Sequence, residues 1–138
     1  MGNSPEFWGE EAAGAYLVAR DTGRVLLVLR SAHCTQPYTW SCIGGAIDPG
    51  EDVEEALRRE VWEELRYDGP LEVRPIRAFL AGTFVYHNHI GYVPREFTPQ
   101  LNWENDEGVW VDPEELDDWP DLHPGVEWLL DNGGLPLD

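Results

Sequence analysis

Lysine is absent: all nine basic residues of the 138 are arginines, set against 27 acidic side chains and a net charge of −18. A field this negative repels duplex nucleic acid and anionic membranes, so neither is an expected partner. It also repels an anionic small molecule unless bound cations or local arginines reverse the sign. Long apolar runs are missing too. The longest strongly apolar stretch, residues 25–29, is far short of the about 20 residues a membrane helix needs. Nothing near the N-terminus joins a basic region to an apolar one, so no secretory signal is expected. Cysteine is scarce. Cys34 and Cys42 form no CxxC and no metal-type spacing, and they read as reduced thiols of a cytoplasmic protein.

What remains is ordinary for one soluble domain, with 42% hydrophobic and 26% charged residues. Residues 1–10 read as an N-terminal arm, with MGNSPEF resembling an expression remnant. Residues 11–138 read as a single domain. Strands are expected at 12–20 and 25–30 around a turn at 21–23, and a short one at 40–43 before Gly44-Gly45. A helix is expected over 53–66. Asp52 and Glu55 form a capping box, and Val53, Leu57, Val61 and Leu65 form an apolar stripe. Glu54 with Arg58 and Glu55 with Arg59 are favourably ordered pairs. Two long strands, 71–81 and 83–93, follow around Gly82. A short strand covers 108–111, an acidic helix opens at Asp112-Pro113, and a second short helix covers 126–130. This order predicts a mixed α/β layered domain.

The helix carries carboxylates where apolar residues belong. At about 100° per residue, Glu60 and Glu64 fall inside the arc of Val53, Leu57, Val61 and Leu65, and Glu63 flanks it. Carboxylates one turn apart repel each other, and turning them toward a core is costly without counter-charge. One arginine, Arg59, cannot neutralise three glutamates. A bound hard cation can, and Mg²⁺ or Mn²⁺ takes clustered oxygen ligands.

From Gly45 the sequence runs Gly, five residues, Glu51, seven residues, then Arg59-Glu60-Val61-Trp62-Glu63-Glu64-Leu65. This resembles the Nudix box, G-x5-E-x7-R-E-U-x-E-E-x-G-U, where U is aliphatic. The box glycine is Arg66 here and the last aliphatic position is Tyr67, so Gly69 is expected to serve the helix exit. The resemblance implies an α/β/α sandwich around a mixed sheet. It implies hydrolysis of a nucleoside diphosphate linked to another moiety, with Mg²⁺ (or Mn²⁺) as cofactor. Glu60, Glu63 and Glu64 would be metal ligands together with the Gly44 carbonyl. Glu51 and Arg59 would be orienting residues, with Gly45 beside the substrate. Family members often add a carboxylate from a later loop, and Glu104 is the choice here, with Asp106 and Glu107 in reserve. Many members form dimers, so a homodimer is a family-level expectation.

The chemistry implied is attack of a metal-activated water on phosphorus, with Glu64, Glu60 or Glu104 taking its proton. Arg30 ends the second strand and could meet a phosphate bidentately. Phe84, Tyr86 and Trp103 could stack a base. His87 and His89 read as surface or structural residues. Two other readings compete. One is a non-catalytic nucleotide sensor of the same fold, which usually lacks box glutamates. The other is an isopentenyl-diphosphate isomerase-like enzyme, for which Cys42 before the box is the only hint.

Overall fold

Strand β1 (Glu11–Ala19) organises the molecule, and its near-continuous apolar run is buried on both faces, as a central strand requires. The computed structural model describes residues 11–137; the expected arm at 1–10 lies outside the described residues. β1 runs parallel to β7 (Phe84–Val93) and antiparallel to β2 (Val25–Arg30) and β4 (Ile43–Ala46). β2 also pairs with β3 (Trp40–Ser41) and β8 (Asn105–Val111); β5 (Glu72–Pro75) and β6 (Phe79–Ala81) pair with β7. These last four pairs are all antiparallel, so the sheet is mixed.

The sheet has a helix layer on each face. On one, Leu57, Val61 and Leu65 of α1 (Val53–Leu65) pack on Ala13, Ala15, Leu17, Leu26 and Val28. On the other, Val126 and Leu129 of α2 (Pro124–Asp131) pack with Leu116 on Tyr16, Val18, Leu27 and Ile90. This is the expected α/β/α sandwich.

Several local expectations change. The single strand expected over 71–81 is two. Pro75 ends β5, where it has no N–H to give to the ladder. At the break, Ile76 N bonds Asn88 O at 3.0 Å and Arg77 O accepts from Asn88 Nδ2 at 3.0 Å. The acidic helix expected from Asp112 is a 3₁₀ helix over Pro113–Asp118, with Leu116 as its buried anchor. Its run of acids gives little reason to propagate into a longer α-helix. The capping box forms as expected, with Asp52 Oδ1 on Glu55 N at 2.8 Å and Glu55 Oε1 on Asp52 N at 2.9 Å. Glu55 is thereby occupied, and Arg59 turns away from it to Glu51.

The helix exit is also corrected. Arg66, not Gly69, ends α1, in the left-handed conformation at φ 57°, ψ 33°, with its N–H on Trp62 O. A residue with a Cβ costs about 1 kcal/mol or more there. Arg66 recovers part of this by lying 4.9 Å from the Trp62 ring centre, a contact worth about 0.5 kcal/mol at an exposed site. Arg66→Gly is therefore expected to stabilise the protein by about 0.5–1 kcal/mol, read as a higher urea midpoint at unchanged slope. A lower midpoint would mean that the Trp62 contact outweighs the backbone strain.

Candidate active site

The apolar stripe of α1 buries two carboxylates, Glu60 and Glu64, at 7% and 4% exposure. Both oxygens of Glu64 and one of Glu60 accept a hydrogen bond. Glu64 Oε2 accepts from Gly44 N and Oε1 from Asn105 Nδ2, each at 3.0 Å. Glu60 Oε2 accepts from Arg59 Nη1 at 3.1 Å. The glycine pair before the helix makes room for this. A Cβ on Gly45 would overlap the Glu60 carboxylate, and one on Gly44 would overlap Ala13 O and Gly14 Cα.

Electrostatics concentrate here. Burial raises the Glu64 carboxyl well above the usual carboxylate range, and Glu104 and Glu60 push the same way. Burial also raises Glu60; Arg59 opposes that shift, while Glu63 and Glu104 add to it. Glu104, expected from sequence as the extra carboxylate, is thus brought to the helix carboxylates by the loop before β8. Glu63 is the more exposed partner, with Oε1 3.3 Å from Arg59 Nη1.

Arg59 is a hub. Its Nε and Nη2 donate to Glu51 Oε2 and Oε1 at 2.8 and 3.0 Å, a two-pronged pair, and Nη2 also donates to Ala46 O at 3.0 Å. The hydrogen bonds from Arg59 hold Glu51 below the usual carboxylate range. One guanidinium therefore ties the loop, β4 and α1 together while facing Glu51, Glu60 and Glu63.

A cleft of about 850 Å³ opens beside this cluster. Gly44, Gly45, Glu60, Glu63, Glu64 and Glu104 line one part of it. Arg30, Phe84, Tyr86 and Trp103 line it too, so every side chain expected to touch substrate reaches the same space. Arg30 is occupied by its own loop, with Nε on Thr35 O at 2.7 Å. Tyr86 is more floor than platform. Its hydroxyl sits against Gly14 and Gly44 and 3.7 Å from Cys42 Sγ, and burial raises its pKa. Burial pushes the Cys42 thiol up to about 11, which keeps it protonated. His89 is buried, with Nδ1 on His87 O at 2.9 Å, and His87 Nε2 meets Glu11 at 2.7 Å.

Sequence reasoning missed Asn102, Asn105 and His123. The first two act through contacts across the fold that leave no periodic trace. His123 caps α2 by accepting from Gly125 N at 2.8 Å, and burial lowers it to about 4. A histidine before proline is not a usual cap signal.

Among the described residues, no three His, Cys, Asp or Glu side chains converge on one point as placed. Glu60 and Glu63 face Arg59, and Glu64 faces Gly44 and Asn105. The donor set nevertheless suits a hard divalent ion: clustered carboxylate oxygens, with Glu60 and Glu64 buried and a mutual repulsion that the one guanidinium of Arg59 offsets only in part.

Comparison with known proteins agrees with this picture. The family described as NUDIX domain matches residues 10–129. The CTP pyrophosphohydrolase of Escherichia coli is 32% identical over 108 residues, 77% of this chain and 78% of that protein. The chloroplastic Nudix hydrolase 19 of Arabidopsis thaliana is 48% identical over 48 residues, 35% of this chain but only 10% of that protein. Among solved structures, a Nudix hydrolase from M. smegmatis, RenU, superposes with a TM-score of 0.79 at 28% identity, covering 91% of this chain and 84% of that one.

Proposed function

We infer the activity from one premise: this chain belongs to the Nudix family. The chain is then a hydrolase that cleaves the diphosphate linkage of a nucleotide-type small molecule. The observation that carries this reading is the burial of Glu60 and Glu64 beside Glu104 at the wall of the cleft. Glu60, Glu63, Glu64 and Glu104, with the Gly44 carbonyl, are the groups that would hold Mg²⁺, or Mn²⁺ in its place. When bound, such an ion offsets the charge of the diphosphate and acidifies a water.

The chain's own residues do the rest. A cleft carboxylate takes the proton of the attacking water. Glu64 is the first choice, since it lines the cleft and its carboxylate is fixed in place by Gly44 N and Asn105 Nδ2. The attack makes one P–O bond, breaks the bridging P–O bond and leaves two phosphate-ended products. Arg59 and Glu51 hold the helix and the glycine loop in register. Arg30 meets a phosphate oxygen after yielding its contact with Thr35, and Phe84 and Trp103 offer faces to a base. The free cysteines suit a reducing, cytoplasmic setting.

The test is a panel with Mg²⁺: nucleoside triphosphates including CTP, ADP-ribose, dinucleoside polyphosphates, nucleotide sugars and capped RNA, with phosphorus NMR of the products. Turnover of one class that stops on chelation is the expected result. Tight nucleotide binding with no turnover under Mg²⁺ or Mn²⁺ would overturn the hydrolase reading in favour of a sensor.

A further inference from the structure

The loop before β8 and the first residue of that strand are fastened to the last turn of α1 by three polar contacts. Gln100 N donates to Leu65 O at 3.0 Å, Asn102 Nδ2 to Glu63 O at 3.0 Å and Asn105 Nδ2 to Glu64 Oε1 at 3.0 Å. Asn102 does more than satisfy a helix-end carbonyl. The same amide nitrogen donates to Glu104 Oε1 at 3.1 Å, and its Oδ1 accepts from Glu104 N at 3.0 Å. On the far side, Glu104 O accepts from Ser31 N at 2.9 Å and Cys34 Sγ at 3.3 Å. Glu104 is thus held by its N–H, its carbonyl and one carboxylate oxygen, and two of those three grips are Asn102.

We propose that Asn102 is a positioning residue of the metal site, which aims the Glu104 carboxylate at Glu60 and Glu64 by tying it to the Glu63 backbone. The proposal rests on the metal-site reading above. The geometry shows why an asparagine suits the task. The amide offers one acceptor and two donor hydrogens, and here the acceptor and the amide nitrogen are both engaged. A carboxylate left on a mobile loop would swing away from two buried carboxylates that repel it. Pinning it in place keeps the charge cluster assembled before the ion arrives, as groups supporting metal ligands commonly do.

The bland alternative is that Asn102 only completes the end of α1. A double-mutant cycle separates the two. Mg²⁺ and Mn²⁺ are titrated against the full-length protein, and the concentration giving half of the metal-induced rise in unfolding midpoint is read. Asn102→Ala is expected to weaken this apparent affinity about tenfold, in the range typical of groups that support metal ligands. Asn102→Ser keeps a hydroxyl that can serve Glu104 N and is expected to lose as much, which covers a failure of the alanine variant to fold. In a Glu104→Gln background, Asn102→Ala should change the affinity less than about twofold, because its object is gone. An undiminished effect of Asn102→Ala in that background would overturn the proposal in favour of helix capping. So would unchanged affinity in both Asn102 variants while Glu104→Gln weakens binding. If Glu60→Gln and Glu64→Gln also leave the metal response intact, the metal-site reading itself fails.

Discussion

Glu64→Gln is expected to cut turnover by about a hundredfold or more and yet to make the metal-free protein more stable. The loss follows from the role given to the carboxylate: removing a positioned base costs about 10²–10⁴-fold. The gain follows from its surroundings. Glu64 is 4% exposed, with Glu60 and Glu104 raising its proton affinity further. Glutamine fits the same place. Its Oε1 can accept from Gly44 N, and its amide can donate to Asn105 once the Asn105 side chain turns over. Replacing a buried charge by a neutral group of the same shape is often worth about 1–2 kcal/mol or more, here roughly 4–8 °C in unfolding midpoint.

The sign of the pH dependence follows. A carboxyl whose folded pKa lies above its unfolded value stabilises the folded protein fully only below the unfolded pKa, and that stability is lost as pH rises through the folded one. The metal-free wild type should therefore gain stability on acidification from neutrality. The general charge of −18 acts in the same direction. Glu64→Gln isolates the local part, because its pH profile should be flatter than the wild type's. Mg²⁺ should raise the wild-type midpoint at neutral pH and the variant's less. Calorimetry across pH, with and without Mg²⁺, reads all of this. A Glu64→Gln variant less stable than wild type at neutral pH without metal would show that the two hydrogen bonds outweigh the buried charge.

The carboxylates were legible in the sequence because they break a pattern. Glu60 and Glu64 interrupt an apolar stripe, so burial and repulsion could be read from periodicity alone. The same stripe gave α1 its position, and the capping box gave its start. Other features had no such trace. Asn102 and Asn105 look like loop residues until β2, β8 and α1 are assembled. The Tyr86 hydroxyl explains Gly14 and Gly44 only across strands. Arg66 shows the limit of a local rule. The rule points to a glycine further along, Gly69, although an arginine can adopt the left-handed conformation when an aromatic ring lies under it. The pairing of Glu55 with Arg59 failed for a related reason: helical spacing offered a partner, and the cap and Glu51 outcompeted it.

Arg59→Met is expected to be among the most destabilising single changes in the metal-free protein. Methionine keeps the length and apolar character of the stem but removes every donor. Glu51 loses a two-pronged partner, Ala46 O loses its donor, and Glu60 and Glu63 lose the cation that opposes their repulsion. Breaking a buried pair by removing one partner costs about 3–5 kcal/mol. The Arg59 side chain is 26% exposed and Glu51 19%, so solvent screening lowers the expectation to about 2–3 kcal/mol. Arg59→Lys should recover less than half of that, because one ammonium cannot span both Glu51 oxygens and Ala46 O. The partners lost differ in what can replace them. A divalent ion held by Glu60 and Glu63 would take over their neutralisation, whereas Glu51 and Ala46 O would still lack the donors that Arg59 supplied. Saturating Mg²⁺ should thus restore part of the Arg59→Met loss, and Glu51→Gln should restore a separate part. Urea unfolding of the single and double variants, with and without Mg²⁺, measures both. A loss of under about 0.5 kcal/mol for Arg59→Met would place the pair with ordinary surface ion pairs. The register of loop, strand and helix would then rest on packing around Leu57 and Val61 instead.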